Sequence, residues 1–139
     1  MISKFRDIAA RYHLADIYAF GSRADDAVAY ARGEKPTSLY PDSDIDIGIL
    51  IKSPARLTAR QRAALVIEME DFFGVRRVDV VFLSEADPFL ALDIIRGCLL
   101  YCEDRESQAH YELYVLRRAG DLLPFKKQRM EMILERGAS

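Results

Sequence analysis

The segment from Asp44 to Ile51, DIDIGILI, constrains the fold more than any other part of the chain. A β-strand sends successive side chains to opposite faces. As a strand, this segment puts Ile45, Ile47, Ile49 and Ile51 on one wholly apolar face, which must be covered. Asp44 and Asp46 share the other face, followed by Gly48, which has no side chain to obstruct an approaching group. Two carboxylates aimed at one place repel each other, and the usual remedies are a raised pKa on one of them or a cation between them.

Hard carboxylate oxygens suit magnesium, which keeps several waters and completes its shell with substrate phosphates. Asp79 supplies a third carboxylate from within the apolar run Val78–Leu83, where burial without a partner or a metal is costly. Each residue also has a plainer reading. Asp44 and Asp46 sit in PDSD, a stretch rich in turn formers, and Asp79 can be an edge-strand residue facing water. The combination, rather than any one carboxylate, points to a site.

Phe20, Gly21 and Ser22 form its second half. Ile17–Phe20 reads as a buried strand that stops at a glycine, and a short helix is expected over Asp25–Arg32. A glycine there lets backbone N–H groups approach a phosphate, the Ser22 hydroxyl adds a hydrogen bond, and a helix N-terminus favours negative charge. Arg23 either neutralises triphosphate charge or is a solvated arginine. A Gly-Ser turn is common, so its weight comes from the acidic pair.

The remaining elements follow from periodicity. Ile2, Phe5, Ile8, Ala9 and Tyr12 predict an amphipathic helix over residues 2–14. Gly33, Pro36 and Pro41 mark a loop, Thr58 caps a helix running toward Gly74, and RRVDVVFL predicts a strand over residues 76–83. A helix over Pro88–Arg96 and a short strand at LLYC, residues 99–102, come next. Gly120 and Pro124 interrupt the helical periodicity of residues 105–136, which predicts two helices there. Alternating strands and helices predict an α/β (α+β) fold, a small mixed sheet flanked by helices with a helical tail. At 139 residues the chain is read as one domain, with its core at about 1–103 and its tail at about 105–136.

With 20 basic and 22 acidic residues the formal charge is −2, so no general positive field exists to hold a nucleic-acid backbone, and direct nucleic-acid binding is not expected. The charged start MISKFRDIAARYHLAD and the lack of a long apolar run give no signal peptide or membrane span, an expectation of cytoplasmic location. Cys98 and Cys102 lie too far apart along a strand for a disulfide, and His13 and His110 show no zinc-ligand spacing, so reduced thiols are expected.

The order Gly21-Ser22, Asp44-x-Asp46, then Asp79 in a later strand resembles the nucleotidyltransferase superfamily that includes DNA polymerase beta. Within it the chain is similar to the minimal nucleotidyltransferases, many of them antitoxin partners of HEPN-domain toxins. FGSRA at 20–24, PDSDIDIGIL at 41–50, VDVVFL at 78–83 and IIRGCLLYCEDRE at 94–106 carry the resemblance. It implies that Gly21 and Ser22, with Arg23 beside them, bind a nucleoside triphosphate, ATP in most of the family. Asp44, Asp46 and Asp79 would hold magnesium, two ions in all, with Asp79 helping to activate the attacking hydroxyl. It further implies transfer of AMP to a tyrosine hydroxyl of a HEPN-type toxin partner. The segment DDAVAYARGEKPTSLYP departs from the pattern, being long and having Asp25 and Asp26 where a glycine is common; with its Tyr30, Arg32, Lys35 and Tyr40 it contacts the acceptor, shields the site, or is a tolerated surface insertion.

Two other functions stay open. A binding module without catalysis would restrain its partner through tail residues such as Tyr111, Leu113, Tyr114, Leu116, Leu122, Leu123, Phe125, Met130, Met132, Ile133 and Leu134, which at helical spacing are more usually internal core. A transferase acting on a small molecule or an RNA end is the other. An unpaired edge strand or exposed tail also leaves room for a homo-oligomer.

Overall fold

The computed structural model describes residues 2–34 and 44–138; the expected loop around Pro36 and Pro41, with Lys35 and Tyr40, lies outside the described residues. Its elements are α1 (Ile2–Tyr12), β1 (Leu14–Phe20), α2 (Ala24–Ala31), β2 (Ile45–Ile51), α3 (Ala59–Phe73), β3 (Val78–Phe82), α4 (Pro88–Ile95), β4 (Cys98–Cys102) and α5 (Arg105–Ala138), with one 3-10 turn at Leu83–Glu85. The strands form one sheet in the order β3-β2-β1-β4. β2 runs antiparallel to β1 and parallel to β3, and β4 is antiparallel to β1. The sheet is therefore mixed, as the alternation of strands and helices predicts.

The alternation in β2 decides which layer lies on which side. Ile45, Ile47 and Ile49 are fully buried with Phe5, Ile8, Ile17, Ala19, Ala27, Leu65, Met69 and Phe73, so α1, α2 and α3 cover this face. Tyr18, Leu83, Ala91, Ile94 and Val115 form a second, smaller core on the other face, under α4 and α5. Asp44 and Asp46 belong to that second side.

Local chemistry sets the helix ends. The Thr58 hydroxyl accepts from the Gln61 N–H at 3.1 Å while the Gln61 side chain accepts from the Thr58 N–H at 2.8 Å, a reciprocal cap on α3. Asp87 accepts from the N–H groups of Phe89 and Leu90, and Pro88 fills the first position of α4, where its missing N–H costs nothing. α5 is anchored where Gln108 Nε2 donates to the Tyr18 hydroxyl at 2.8 Å and the Tyr18 hydroxyl donates to Glu112 at 3.0 Å. Asp16, one alternation away from Tyr18, is buried beside this network.

The tail differs from expectation. Residues 105–138 form one helix that runs through Gly120 and Pro124. Proline in a helix removes the bond to the carbonyl four residues back, here that of Gly120. Both positions are exposed, so water meets that carbonyl and the helix continues. Among the described side chains of α5, only Val115 and Ala119, in its third and fourth turns, are fully buried, with Tyr111 half-buried. Leu113, Tyr114, Leu116, Leu122, Leu123, Phe125, Met130, Met132, Ile133 and Leu134 are exposed rather than internal, Phe125 and Leu134 at 67%. Leu113, Tyr114 and Leu116 flank the buried Val115 on the outer sides of the helix, and the others follow Ala119.

The segment after Ser22 also differs from a loose insertion. Its first part is α2, whose Ala27 and Ala31 are buried in the main core, and Tyr30 packs edge-on against Phe73 at 6.0 Å. Tyr30 therefore contributes to the core, while Arg32 is exposed. Deleting residues 27–38 would remove core side chains along with the loop.

Candidate active site

The strand register brings the carboxylates together. In the parallel pair β2–β3, Asp46 lies opposite Asp79 and Ile45 opposite Val78. Directly opposed residues of neighbouring strands project to the same face, so Asp79 joins Asp46, with Asp44 one alternation before it. Asp46 is also opposite Phe20, the last residue of β1. The Gly21–Ser22 turn therefore begins beside the acidic pair, although more than 20 residues separate them in sequence.

Gly21 has φ +76°, a conformation that glycine adopts without strain. A Cβ built at this position would collide with the Asp46 carboxylate, so the turn backbone lies directly against that side chain. Ser22 is exposed in the turn that leads into α2. Arg23 is buried, 4% exposed, and its Nε donates to Asp26 Oδ2 at 2.9 Å. The acidic residue standing where a glycine is common thus holds Arg23 in a buried ion pair at the start of α2.

The electrostatics match the geometry. Asp46 is raised from the usual carboxylate range by its burial first and then by the charges of Asp79 and Asp44. Arg77, which the sequence reading passed over, answers part of that repulsion. Its Nε is 3.6 Å from Asp44 Oδ2 and 3.9 Å from Asp79 Oδ1. An arginine two residues before a strand carboxylate was the available signal, since that spacing returns to the same face.

Gly48 has a structural partner rather than an open approach. A Cβ there would overlap Ile94, so its absence lets α4 press against the sheet next to the carboxylates. The hollow between α1 and α3, about 280 Å³ and lined by Lys4, Asp7, Arg11 and Glu68, is on the other side of the sheet. Cys98 and Cys102 are free, half-buried thiols at the two ends of β4.

As a donor set the cluster suits a hard divalent cation: carboxylate oxygens from two adjacent strands, one of them protonating more readily because of its neighbours. Among the described residues no three or more His, Cys, Asp or Glu side chains are grouped closely enough to hold a metal ion by themselves. An open set still fits magnesium, which draws much of its shell from water and phosphate.

A mixed sheet with aspartates level at the starts of two parallel strands, and a Gly-Ser turn against them, defines the class as the nucleotidyltransferase fold. A family model described as "Polymerase beta, Nucleotidyltransferase" matches residues 3–106, and the chain belongs to that family. Among curated proteins none matches the sequence. Solved structures that share the fold include three toxin–antitoxin complexes. A chain of the MntA–HpeT toxin–antitoxin mutant crystal structure aligns with TM-score 0.71 and 17% identity over 96% of this chain and 98% of its own. A chain of a toxin–antitoxin crystal structure with AMP-PNP gives 0.68 and 18% over 96% and 98%. A chain from the tri-AMPylated Shewanella oneidensis HEPN toxin in complex with MNT antitoxin gives 0.67 and 17% over 96% and 95%. Among the described residues, no helix is long and apolar enough to cross a membrane.

Proposed function

We propose that this chain is a magnesium-dependent nucleotidyltransferase that moves AMP from ATP onto a tyrosine hydroxyl of a HEPN-type toxin partner, as its antitoxin. The observation that carries the reading is the register of Asp46 opposite Asp79, with Asp44 on the same face and Gly21 against Asp46. Family membership supports the reaction class. The similar structures, one with AMP-PNP and one holding an AMPylated HEPN toxin, support the donor and the acceptor.

In this reading Asp44, Asp46 and Asp79 hold magnesium, which supplies positive charge against the triphosphate and the developing charge of the transition state. The chain's own groups do the rest. The Gly21–Ser22 backbone and the Ser22 hydroxyl bind and orient phosphate oxygens for in-line displacement. The acceptor oxygen forms a bond to the α-phosphorus, the bond from that phosphorus to the bridging oxygen breaks, and pyrophosphate leaves. Asp79 takes the hydroxyl proton. Arg23, paired with Asp26, supports the same turn from within.

A second reading, restraint of the partner by binding alone, draws on the apolar side chains that α5 leaves exposed. Transfer of label from α-phosphate-labelled ATP to a co-expressed HEPN-type partner separates the two. Label with the wild type and none with Asp44→Asn/Asp46→Asn supports the transferase. Absence of label from a complex that still forms would sink it in favour of restraint alone.

A further inference from the structure

We propose that Arg77 is the resident counter-ion of the carboxylate cluster: its guanidinium stands against both Asp44 and Asp79, competes with a divalent cation for them, and would be displaced by one. The side chain then sets how readily the site takes up metal. The inference rests on reading these carboxylates as a metal site.

Backbone pairing fixes the placement. The Ile45 N–H donates to the Arg77 carbonyl at 3.4 Å, which puts Arg77 level with Asp44 across the start of the β2–β3 ladder. Two residues later, Asp79 faces the same way. The guanidinium therefore reaches carboxylates on both strands, one before it across the sheet and one after it along its own strand.

The contacts are of a kind that can be exchanged. At 3.6 and 3.9 Å they are longer than hydrogen bonds, so charge rather than a directed fork holds the arm. The Arg77 side chain is 72% exposed, against 34% for Asp44 and 48% for Asp79. An arm already in water gives up little solvation by staying and little energy by leaving. One guanidinium against three carboxylates leaves the cluster with a surplus of acidic groups. A divalent ion neutralises the cluster more fully and releases an arginine at its rim, still on the side from which a phosphate would arrive.

The test is manganese binding to the full chain, followed through the electron paramagnetic resonance signal of free aqueous Mn²⁺. Wild type is compared with Arg77→Gln, Arg76→Gln and Asp44→Asn/Asp46→Asn. Arg76 is an exposed neighbour that forms no ion pair with these carboxylates, so its substitution removes the same charge without emptying the bridge. Arg77→Gln is expected to bind Mn²⁺ about three- to ten-fold more tightly, the scale of losing two exposed ion pairs as competitors. Arg76→Gln should stay near wild type, and circular dichroism checks that each variant is folded. Equal tightening by both variants would mean a diffuse charge effect and overturn the inference. Unchanged binding in Arg77→Gln would overturn it too, while binding lost only in the double Asn variant keeps the metal-site reading intact. No Mn²⁺ binding by any folded variant removes both.

Discussion

The two faces of the sheet are built from alternate residues of the same strands, yet they solve opposite problems. Under α1, α2 and α3, Ile17, Ile45, Ile47 and Ile49 are entirely buried among apolar neighbours. Under α4 and α5 the same strands present Asp16, Tyr18, Asp44 and Asp46, and β3 adds Asp79. The first face gains from removing apolar area from water, at about 25 cal/mol per Å². The second gathers like charges, which weakens the fold and prepares it to bind a cation. Stability and chemistry are thereby separated by one residue of register.

Substitutions on the two faces should come apart accordingly. The largest effect expected is on Asp46→Asn, which should lower labelled-AMP transfer by about a hundred-fold or more while leaving the melting temperature equal or higher. The sign follows from its raised pKa: a carboxylate that protonates more readily when folded is a burden when ionised, so Asn lifts that burden at neutral pH. By the same shift, transfer by the wild type should fade on acidification at a higher pH than an ordinary carboxylate would give. A drop in stability on Asp46→Asn would break the contrast between the faces.

Ile47→Ala, on the opposite face and fully buried, should cost about 2–4 kcal/mol in urea unfolding. Activity per folded molecule should stay close to wild type. Gly21→Ala should reduce transfer about ten-fold or more by pushing the Asp46 carboxylate aside, and lose about 1 kcal/mol of stability from its left-handed backbone.

Asp16 sharpens the comparison because it lies on the charged face but away from the site. Burial first, then the charges of Glu112 and Glu103, push it up to about 6. Its ionised form therefore opposes folding above that pH, and protonation relieves the cost as pH falls toward the unfolded value. Asp16→Asn should stabilise the protein by about 1–2 kcal/mol at pH 7.5, an advantage that disappears between about pH 6 and pH 4. The smallest effect expected is Thr58→Ala at the cap of α3, about 1 kcal/mol with transfer unaffected.

What sequence could reveal follows the same division. The alternation in DIDIGILI gave both faces of β2, and Thr58 and Gly74 marked α3, because these signals lie within a few residues of what they specify. The meeting of Asp46 with Asp79 and Phe20 depends on pairing across strands, which periodicity suggests but does not align. Arg77 was passed over because an arginine at the start of a strand looks like a solvated charge until its register is known. Gly48 looked like open access, and only the packing of α4 shows Ile94 filling the space. Asp16 escaped notice because β1 begins at Leu14, earlier than its apolar run, and passes through an irregularity between Leu14 and Asp16.

The unbroken course of α5 has a kinetic consequence. Near Gln108 and Val115 its amides are protected by the same packing and hydrogen bonds that hold the domain together, so their exchange with deuterium should require global opening. Beyond Pro124 the described side chains are exposed, and short stretches of helix in water open readily. A single rod by geometry, α5 should therefore behave in exchange and limited proteolysis as two segments with different lifetimes, the boundary falling near Gly120 and Pro124.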